Sequence, residues 1–250
     1  MKNHFRFYST LLTAGVILCG CSDSNTAAEK LNHAVNQARN GNWQLAGKYA
    51  QDVALVSEKA SAPLILSALA YEKDGEYNKA LDLARQAANA SPDDFTALYT
   101  LGRLYSLDHQ RHSEAFTTLE EALIRKPGDT NTLILLCNLG VIRQEPNTDK
   151  YLNLLKQKPE FATSLELHFL LGMRQAEKRN IEAAKRFMLA ALNKCGGMKK
   201  PDIIYDIANC FDRCRFPASE SRKFYNLYVR ARGKKDPAKV IAAKKRLRQL

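Results

Sequence analysis

The chain has 250 residues and a formal net charge of +12, with 38 Lys and Arg residues against 26 Asp and Glu residues. Composition excludes a uniformly basic protein, because residues 21–221 hold 25 basic and 25 acidic side chains and are neutral as a group. The excess charge is concentrated at the C-terminus, where residues 222–250 hold 11 basic residues and one acid.

The N-terminus has the organisation of an export signal. Lys2 and Arg6 form a basic start, and residues 11–18 form an apolar run. A run of this length is typical of a secretory signal and is too short to span a bilayer. Residues 1–20 are therefore predicted to be a signal peptide and are left out of the fold prediction.

The end of this segment, Leu18-Cys19-Gly20-Cys21, resembles the lipobox of bacterial lipoproteins. The resemblance implies that the Cys21 thiol is acylated and that cleavage makes this residue the new N-terminus. Residues 21–28 would then be a lipidated tether, and Ser22 is similar to the pattern that sends such proteins to the outer membrane. The alternative is an ordinary cleaved signal that carries two unrelated cysteines.

The middle of the chain contains an internal repeat of small, aromatic and proline residues. Ala68 and Gly102 are 34 residues apart, and Ala80 and Ala115 are 35 apart. The recurring positions of the two units are Ala68, Tyr71, Ala80, Ala87 and Pro92, followed by Gly102, Tyr105, Ala115, Ala122 and Pro127. A period in this range indicates a protein built from stacked repeats.

Each unit is predicted to be a pair of helices. Residues 63–73 form the first helix, Gly75 suits a left-handed turn, and residues 77–90 form the second helix. Small residues on the second helix allow the two helices to approach closely. Pro92 is expected to close the unit and to lie in the first turn of the next helix.

These units resemble the tetratricopeptide repeat (TPR) family. The matching residues of one unit are Leu98, Leu101, Gly102, Tyr105, Ala115, Leu119, Ala122 and Pro127, with one residue inserted near residues 108–112. The resemblance implies an all-α fold, a right-handed α-solenoid of about six TPR-like helix hairpins over residues 29–232, followed by a capping helix within 233–250. The alternative is an unrelated helical bundle.

The other units match less well. Leu171-Gly172, Ala184, Met188 and Ala191 repeat the pattern, whereas the unit at about 129–160 is degenerate and is broken by Pro146. The first and last units, near residues 29–60 and 201–232, keep only a few of the pattern positions. A single pair of helices cannot cover its own apolar stripe, so such units are stable only when they stack.

In this family the first helix of each unit lines a concave groove. The resemblance implies a binding groove formed by Ile65, Leu69, Tyr99, Arg103, Phe169, Met173, Tyr205 and Asn209. This mixed apolar and aromatic strip suits an extended segment or an amphipathic helix of a partner. With Arg103 as the only cation, the set does not support a clamp for a C-terminal carboxylate. Packing between helices is the alternative for each residue.

Residues that could carry chemistry are few. Four cysteines follow the lipobox, namely Cys137, Cys195, Cys210 and Cys214, and core packing, a disulfide and a metal site all stay open for them. Cys210 and Cys214 share one helix face, but no histidine is near them in sequence. His109 and His112 are expected to be exposed in a turn. No catalytic, cofactor-binding or metal-binding motif is present, which favours a protein that is not an enzyme.

The basic tail is predicted to include a final helix at about residues 237–249 that covers the end of the stack. Its basic patch comprises Arg230, Arg232, Lys234, Lys235, Lys244, Lys245 and Arg246. A solvated capping helix is one interpretation of this segment. The other is a surface that binds anionic lipid, an acidic polymer or glycan, or an acidic partner, whereas nucleic acid is not expected.

Together these features predict a lipid-anchored protein of a bacterial cell envelope, in the outer membrane and facing the periplasm. Its expected role is that of a protein-interaction scaffold or adaptor in a pilus, secretion or outer-membrane assembly. Protein partners of the envelope and the membrane itself are the expected contacts, and no cofactor is expected. The alternative is an organiser of the envelope surface that acts through the basic tail.

Overall fold

A computed structural model describes residues 24–56, 61–194, 201–232 and 237–250. The predicted signal peptide, Cys21, Cys195, Lys234 and Lys235 lie outside these ranges, as does the side chain of Arg232. All secondary structure in the described ranges is helical. The chain divides into two compact units between Leu135 and Leu136, within the seventh helix.

The described residues of the first unit form three helix hairpins. Hairpin 1 is formed by α1 and α2, hairpin 2 by α3 and α4, and hairpin 3 by α5 and α6, with a single 3-10 turn at His109–Arg111. Their bounds are Ser24–Arg39 for α1, Trp43–Ala54 for α2, Ser61–Lys73 for α3, Tyr77–Ala90 for α4, Phe95–Tyr105 for α5 and His112–Arg125 for α6.

The second unit continues the same organisation. Hairpin 4 consists of α7, which crosses the division, with α8 and the short α9; hairpin 5 consists of α10 and α11, and hairpin 6 of α12 and α13. The terminal helix α14 follows. The bounds are Thr130–Arg143 for α7, Thr148–Lys156 for α8, Pro159–Ala162 for α9, Leu165–Glu177 for α10, Ile181–Lys194 for α11, Pro201–Arg213 for α12, Ala218–Arg232 for α13 and Pro237–Leu247 for α14.

Small residues bring the helices of each hairpin together. Ala80, Ala84 and Ala87 are completely buried along α4. Gly102 faces Leu119 so closely that an added Cβ would lie 2.7 Å from the Leu119 Cγ. The repeat of Ala and Gly in the sequence therefore reports the contact between the two helices of a hairpin, as predicted.

The tight turns within hairpins use a left-handed residue. Glycine occupies this position in hairpins 1 and 2, where Gly41 and Gly75 have φ of 83° and 82°. In the second unit the same conformation falls on Gln144, Arg179 and Arg215, with φ of 60°, 57° and 56°. A side chain in this region costs conformational energy that glycine avoids.

Two local expectations were wrong. Pro92 does not lie in a helix, because Asp94 caps α5 by accepting a hydrogen bond from the Thr96 N–H at 2.8 Å, which starts the helix at Phe95. His112 is the first residue of α6 and is buried, whereas His109 is exposed. Helix α1 begins at Ser24, so residues 24–28 of the predicted tether at 21–28 are helical, and the tether itself stays a prediction.

The core of the second unit is rich in aromatic residues. Phe211 and Tyr228 are completely buried, and Phe211 stacks on Phe216 with ring centroids 4.6 Å apart. Val240 and Ala243 of α14 belong to the same cluster. The terminal helix therefore packs one apolar face on hairpin 6, as a capping helix does.

Candidate functional site

A groove of about 590 Å³ opens in the second unit. Its walls come from the first helices of three consecutive hairpins, α7, α10 and α12, and from the end of the chain beyond Val240. The lining residues are Asn138, Ile142, Phe169, Met173, Asp206, Asn209, Cys210, Asp212, Arg213 and Arg246. A concave site of this size, with apolar side chains and a few polar groups, suits ligand binding.

The groove combines apolar surface with amide groups. Ile142 is 45% exposed, and Phe169 and Met173 are partly exposed beside it. Asn209 accepts a hydrogen bond from the Tyr225 hydroxyl at 2.6 Å through its Oδ1 atom. This bond fixes the amide and leaves its N–H groups as donors for a ligand carbonyl.

The charged wall of the groove holds the terminal helix in place. Arg246 donates from Nε and Nη2 to the two carboxylate oxygens of Asp212, at 2.5 and 2.7 Å. The hydrogen bond to Asp212 raises the pKa of the Arg246 guanidinium. Desolvation, with Asp212 close by, raises the pKa of Tyr225 above its usual value. At physiological pH the cation of Arg246 therefore balances the anion of Asp212, and Tyr225 stays uncharged.

The structure brings together three of the predicted groove residues and one from the predicted basic patch. Phe169, Met173, Asn209 and Arg246 all line the groove. Tyr205 is partly buried but packs against Tyr228, with ring centroids 4.9 Å apart, and is not a lining residue.

In the first unit the predicted groove residues are buried. Ile65, Leu69 and Tyr99 are only 5%, 4% and 4% exposed. Helix α3 is in contact with α1, α2, α4 and α5 and so has neighbours around most of its circumference. The expectation that these side chains form an open surface is corrected, because the adjacent helices cover them.

Arg103 is the fourth predicted residue of this unit, and it is 7% exposed. Its guanidinium donates to both carboxylate oxygens of Glu72, at 2.6 and 2.5 Å. Ser61 of α3 adds a hydrogen bond at 2.5 Å to Asp94, the N-cap residue of α5. Arg103 is thus a structural cation rather than a cation free to bind a ligand.

Sequence reasoning missed the contribution of hairpin 4. Asn138 and Ile142 line the groove, but the register of this degenerate unit was left unassigned. Leu139-Gly140 repeats the Leu-Gly pairs at 101–102 and 171–172. Gly140 also makes a close helix contact, since an added Cβ would lie 2.4 Å from the Thr148 Oγ1 atom. This pair was the signal that could have set the register.

The basic patch is only partly accessible. Arg230, Lys244 and Lys245 are exposed, whereas Arg246 is engaged by Asp212. Arg232, Lys234 and Lys235 cannot be placed, since they lie outside the described side chains. The patch therefore contains both surface cations and a structural one.

Three of the four cysteines that follow Cys21 in the sequence are described, and all three are free thiols. Cys137 is buried in α7, and desolvation raises the pKa of its thiol to about 12. Cys210 is buried, and Cys214 is half-buried. The described residues contain no group of three or more potential metal ligands. None of the helices in the described ranges is long and apolar enough to cross a bilayer.

Comparison with known proteins identifies the fold. No protein-family model matches the chain, and no curated protein sequence matches it. Among solved structures, YrrB, described as a TPR protein with an unusual peptide-binding site, has a TM-score of 0.54 at 18% identity, with 78% of this chain and 97% of YrrB covered.

Structures of MamA are also similar. One has a TM-score of 0.55 at 15% identity and covers 64% of this chain and 93% of MamA. MamA from Desulfovibrio magneticus RS-1 has a TM-score of 0.56 at 19% identity, with 67% and 93% covered. These similarities, together with the six hairpins in the described ranges, confirm the prediction of an all-helical TPR-like hairpin stack.

Proposed function

We propose that this chain is an interaction scaffold that holds a peptide segment of a partner protein in the groove of the second unit. The observation that carries the proposal is the groove of about 590 Å³ between α7, α10 and α12. The fold it shares with YrrB, which has a peptide-binding site, supports the same class of function. In this proposal the chain acts by binding and not by catalysis.

The composition of the groove determines what kind of segment fits. Ile142, Phe169 and Met173 offer apolar contacts to side chains of the segment. Asn138 and Asn209 can pair with its backbone amides, which gives affinity that does not depend on sequence. We therefore expect a segment with two or more apolar side chains flanked by polar residues.

Selection from a displayed peptide library against the purified chain tests this proposal. Peptides that bind the wild type should lose at least about tenfold in affinity with Ile142→Asp or Met173→Asp, because a buried unpaired charge is costly. Leu189→Asp is the matched control, since Leu189 is 40% exposed against 45% for Ile142 but is not a lining residue of the groove. Equal losses in all three variants would contradict the proposed site.

We also propose that the scaffold is anchored to a membrane through acyl chains on Cys21, as an outer-membrane lipoprotein facing the periplasm. The support comes from the sequence: the apolar run at residues 11–18, the Cys19-Gly20-Cys21 ending and Ser22. Several acyl chains hold a protein firmly to a bilayer. The scaffold would then serve an envelope assembly of the pilus, secretion or outer-membrane assembly type.

Metabolic labelling with a palmitate analogue tests the anchor. Label should be incorporated by the wild type and by Cys19→Ser, and lost with Cys21→Ser. Fractionation of the envelope on a density gradient then distinguishes the outer from the inner membrane. Label retained by Cys21→Ser would show that this thiol is not the acylated one.

A second candidate function is supported by the outer faces of the last two helices. Exposed cations lie on α13 and α14, and Ile241 is 66% exposed among them. These exposed cations are Arg222, Lys223 and Arg230 on α13 and Lys244 and Lys245 on α14, with Arg248 directly after α14. A basic helix face that includes an exposed apolar side chain suits the surface of an anionic membrane.

Vesicle binding distinguishes this candidate from the scaffold function. The Cys21→Ser chain should bind phosphatidylglycerol vesicles more tightly than phosphatidylcholine vesicles, with an affinity that falls as salt rises. Lys244→Glu with Lys245→Glu should remove the preference, and Ile241→Ser should weaken binding at every salt concentration. Binding to a sulfated glycan that is unaffected by Ile241→Ser would favour a polymer over a membrane.

A further inference from the structure

A second, smaller cavity of about 170 Å³ lies in the second unit, at the C-terminal ends of α7, α10 and α12 and the turns that follow them. Its wall contains one thiol, Cys214, and three guanidinium groups, those of Arg179, Arg213 and Arg215. All three arginines are exposed. The cavity therefore combines a nucleophilic atom with a cluster of positive charge.

The thiol is accessible and is supported by a neighbouring cysteine. Cys214 directly follows the last residue of α12, and its backbone N–H donates to the Cys210 carbonyl at 2.9 Å. Cys214 is half-buried, whereas Cys210 is only 4% exposed. A hydrogen bond from the Cys210 thiol lowers the pKa of Cys214 to about 7, with burial acting against it and Arg213 assisting.

The cationic wall of the cavity favours an anionic ligand. Arg179 and Arg215 occupy the two left-handed turn positions of hairpins 5 and 6, so their backbones hold them at adjacent hairpin ends. Guanidinium groups pair with carboxylates through two parallel hydrogen bonds. A small molecule with carboxylate groups is thus the ligand that this surface attracts.

The carboxylate of Glu177 places a second requirement on the ligand of this cavity, namely a hydrogen-bond donor. Its side chain is 7% exposed and lines the same cavity, and its Oε2 atom pairs with Arg174 Nη1 at 3.1 Å. Its Oε1 atom is buried and has no hydrogen-bond partner among the described residues. A buried acceptor without a donor is unfavourable, so a ligand that brings an N–H group stabilises the site. Carboxylates and an ammonium or amide N–H occur together in cystine and glutathione disulfide.

We propose that Cys214 is a thiol–disulfide exchange site for small disulfides that carry carboxylate groups. The Cys214 Sγ thiolate attacks one sulfur of the bound disulfide, the S–S bond of that molecule breaks, and its other half leaves as a thiolate that takes a proton from water. The small disulfide is the oxidant, and Cys214 ends as a mixed disulfide.

The mixed disulfide is expected to persist. Cys210 is the nearest described thiol, but it lies four residues away on the same helical turn, a spacing with poor geometry for a disulfide. In the reduced chain the hydrogen bond to Cys214 and burial raise the pKa of Cys210 far above its usual value, and burial still raises it once Cys214 is modified, so Cys210 is a poor nucleophile. The exchange therefore stops after one step and leaves the adduct on Cys214.

The test compares three disulfides on the reduced full-length chain at pH 7: glutathione disulfide, neutral 2-hydroxyethyl disulfide and cationic cystamine. Adducts are located by peptide mass spectrometry, and each rate is divided by that of a short model peptide with one cysteine. Glutathione disulfide should modify Cys214, with a normalised rate at least about fivefold above that of cystamine, the factor expected for one unit charge at about 4 Å in water.

Variants separate the site from general thiol reactivity. Arg179→Gln with Arg215→Gln should bring the normalised rates of the charged disulfides together and leave the rate of the neutral disulfide unchanged. Arg186→Gln, which alters an exposed arginine away from the cavity, is the matched control. Cys214→Ser should abolish the adduct in this region. Equal normalised rates for the wild type, or adducts mainly on Cys137 or Cys210, would overturn the proposal.

Discussion

Arg103 and Glu72 form a bidentate ion pair between two neighbouring hairpins, with the side chains only 9% and 18% exposed. Arg103 lies on α5 and Glu72 on α3, 31 residues earlier in the chain. The sequence had predicted that Arg103 lines the binding groove. The bidentate geometry and the burial of this pair indicate that Arg103 stabilises the first unit.

Removal of one partner of this pair should therefore destabilise the first unit. Arg103→Met leaves the Glu72 carboxylate buried without its counter-ion, a change that typically costs about 3 kcal/mol. Urea denaturation measures the free energy of unfolding. The double variant Arg103→Met with Glu72→Met should recover most of the loss, and a double variant as unstable as the single one would contradict the assignment.

Two of the three Leu-Gly pairs, at residues 101–102 and 171–172, should differ in their tolerance of alanine at the glycine. A Cβ at residue 102 would lie 2.7 Å from Cγ of Leu119, which is fully buried. A Cβ at residue 172 would instead meet the flexible Met188 side chain, at 2.9 Å from its Cγ. We expect Gly102→Ala to cost about 2 kcal/mol, and Gly172→Ala less than about 1 kcal/mol.

Urea denaturation of the two glycine variants compares them directly. Each alanine also favours its helix by roughly 0.5–1 kcal/mol relative to glycine, so this contribution cancels between the two. A larger loss of stability in Gly172→Ala than in Gly102→Ala would contradict the prediction. It would mean that the flexibility of the Met188 side chain does not reduce the cost of the added methyl group.

The left-handed turns give a reciprocal pair of predictions. Gln144 has φ of 60°, so Gln144→Gly should stabilise the chain by about 0.5–1 kcal/mol through relief of backbone strain. Gly75 has φ of 82° and open space around its Cα, so Gly75→Ala should destabilise by about 1 kcal/mol for backbone reasons alone. Thermal unfolding monitored by circular dichroism measures both, and shifts of the same sign would refute the account.

Asp149 should contribute a pH-dependent part of the stability of the second unit. The hydrogen bond from Arg174, followed by one from Lys178, lowers the pKa of the Asp149 carboxyl. A carboxyl with a depressed folded-state pKa stabilises the folded state above its unfolded value of about 3.9. That stabilisation is lost as the pH falls through the lower, folded value.

Asp149→Asn removes this titration. Below about pH 4 the free energy of unfolding should fall more steeply for the wild type than for the variant. The two curves of unfolding free energy against pH should converge in strong acid. Glu160→Gln is a control for a change of charge at an exposed carboxyl outside this cluster. Parallel curves for the wild type and Asp149→Asn would show that the ion pair with Arg174 adds no pH-dependent stability.

The sequence by itself determined the helix hairpins. The positions of Ala80, Ala84 and Ala87 and the glycine at residue 75 predicted α4 as Tyr77–Ala90, and the structure has these bounds. Such features act locally, because helix period, turn conformation and the contact between two adjacent helices depend on residues close in sequence. The prediction from local sequence was wrong at Pro92, because Asp94 is the N-cap of α5 and the helix therefore begins at Phe95.

Tertiary structure decided which first-helix side chains remain open. Tyr99 and Phe169 stand at equivalent repeat positions, three residues before a Leu-Gly glycine, yet Tyr99 is 4% exposed while Phe169 lines a groove. The difference arises because exposure depends on the helices on both sides of a hairpin and on partners such as Glu72, which lies a full repeat away from Arg103. Repeat spacing specifies the contacts within a hairpin, but the distance between hairpins depends on side chains that the repeat pattern leaves free to vary.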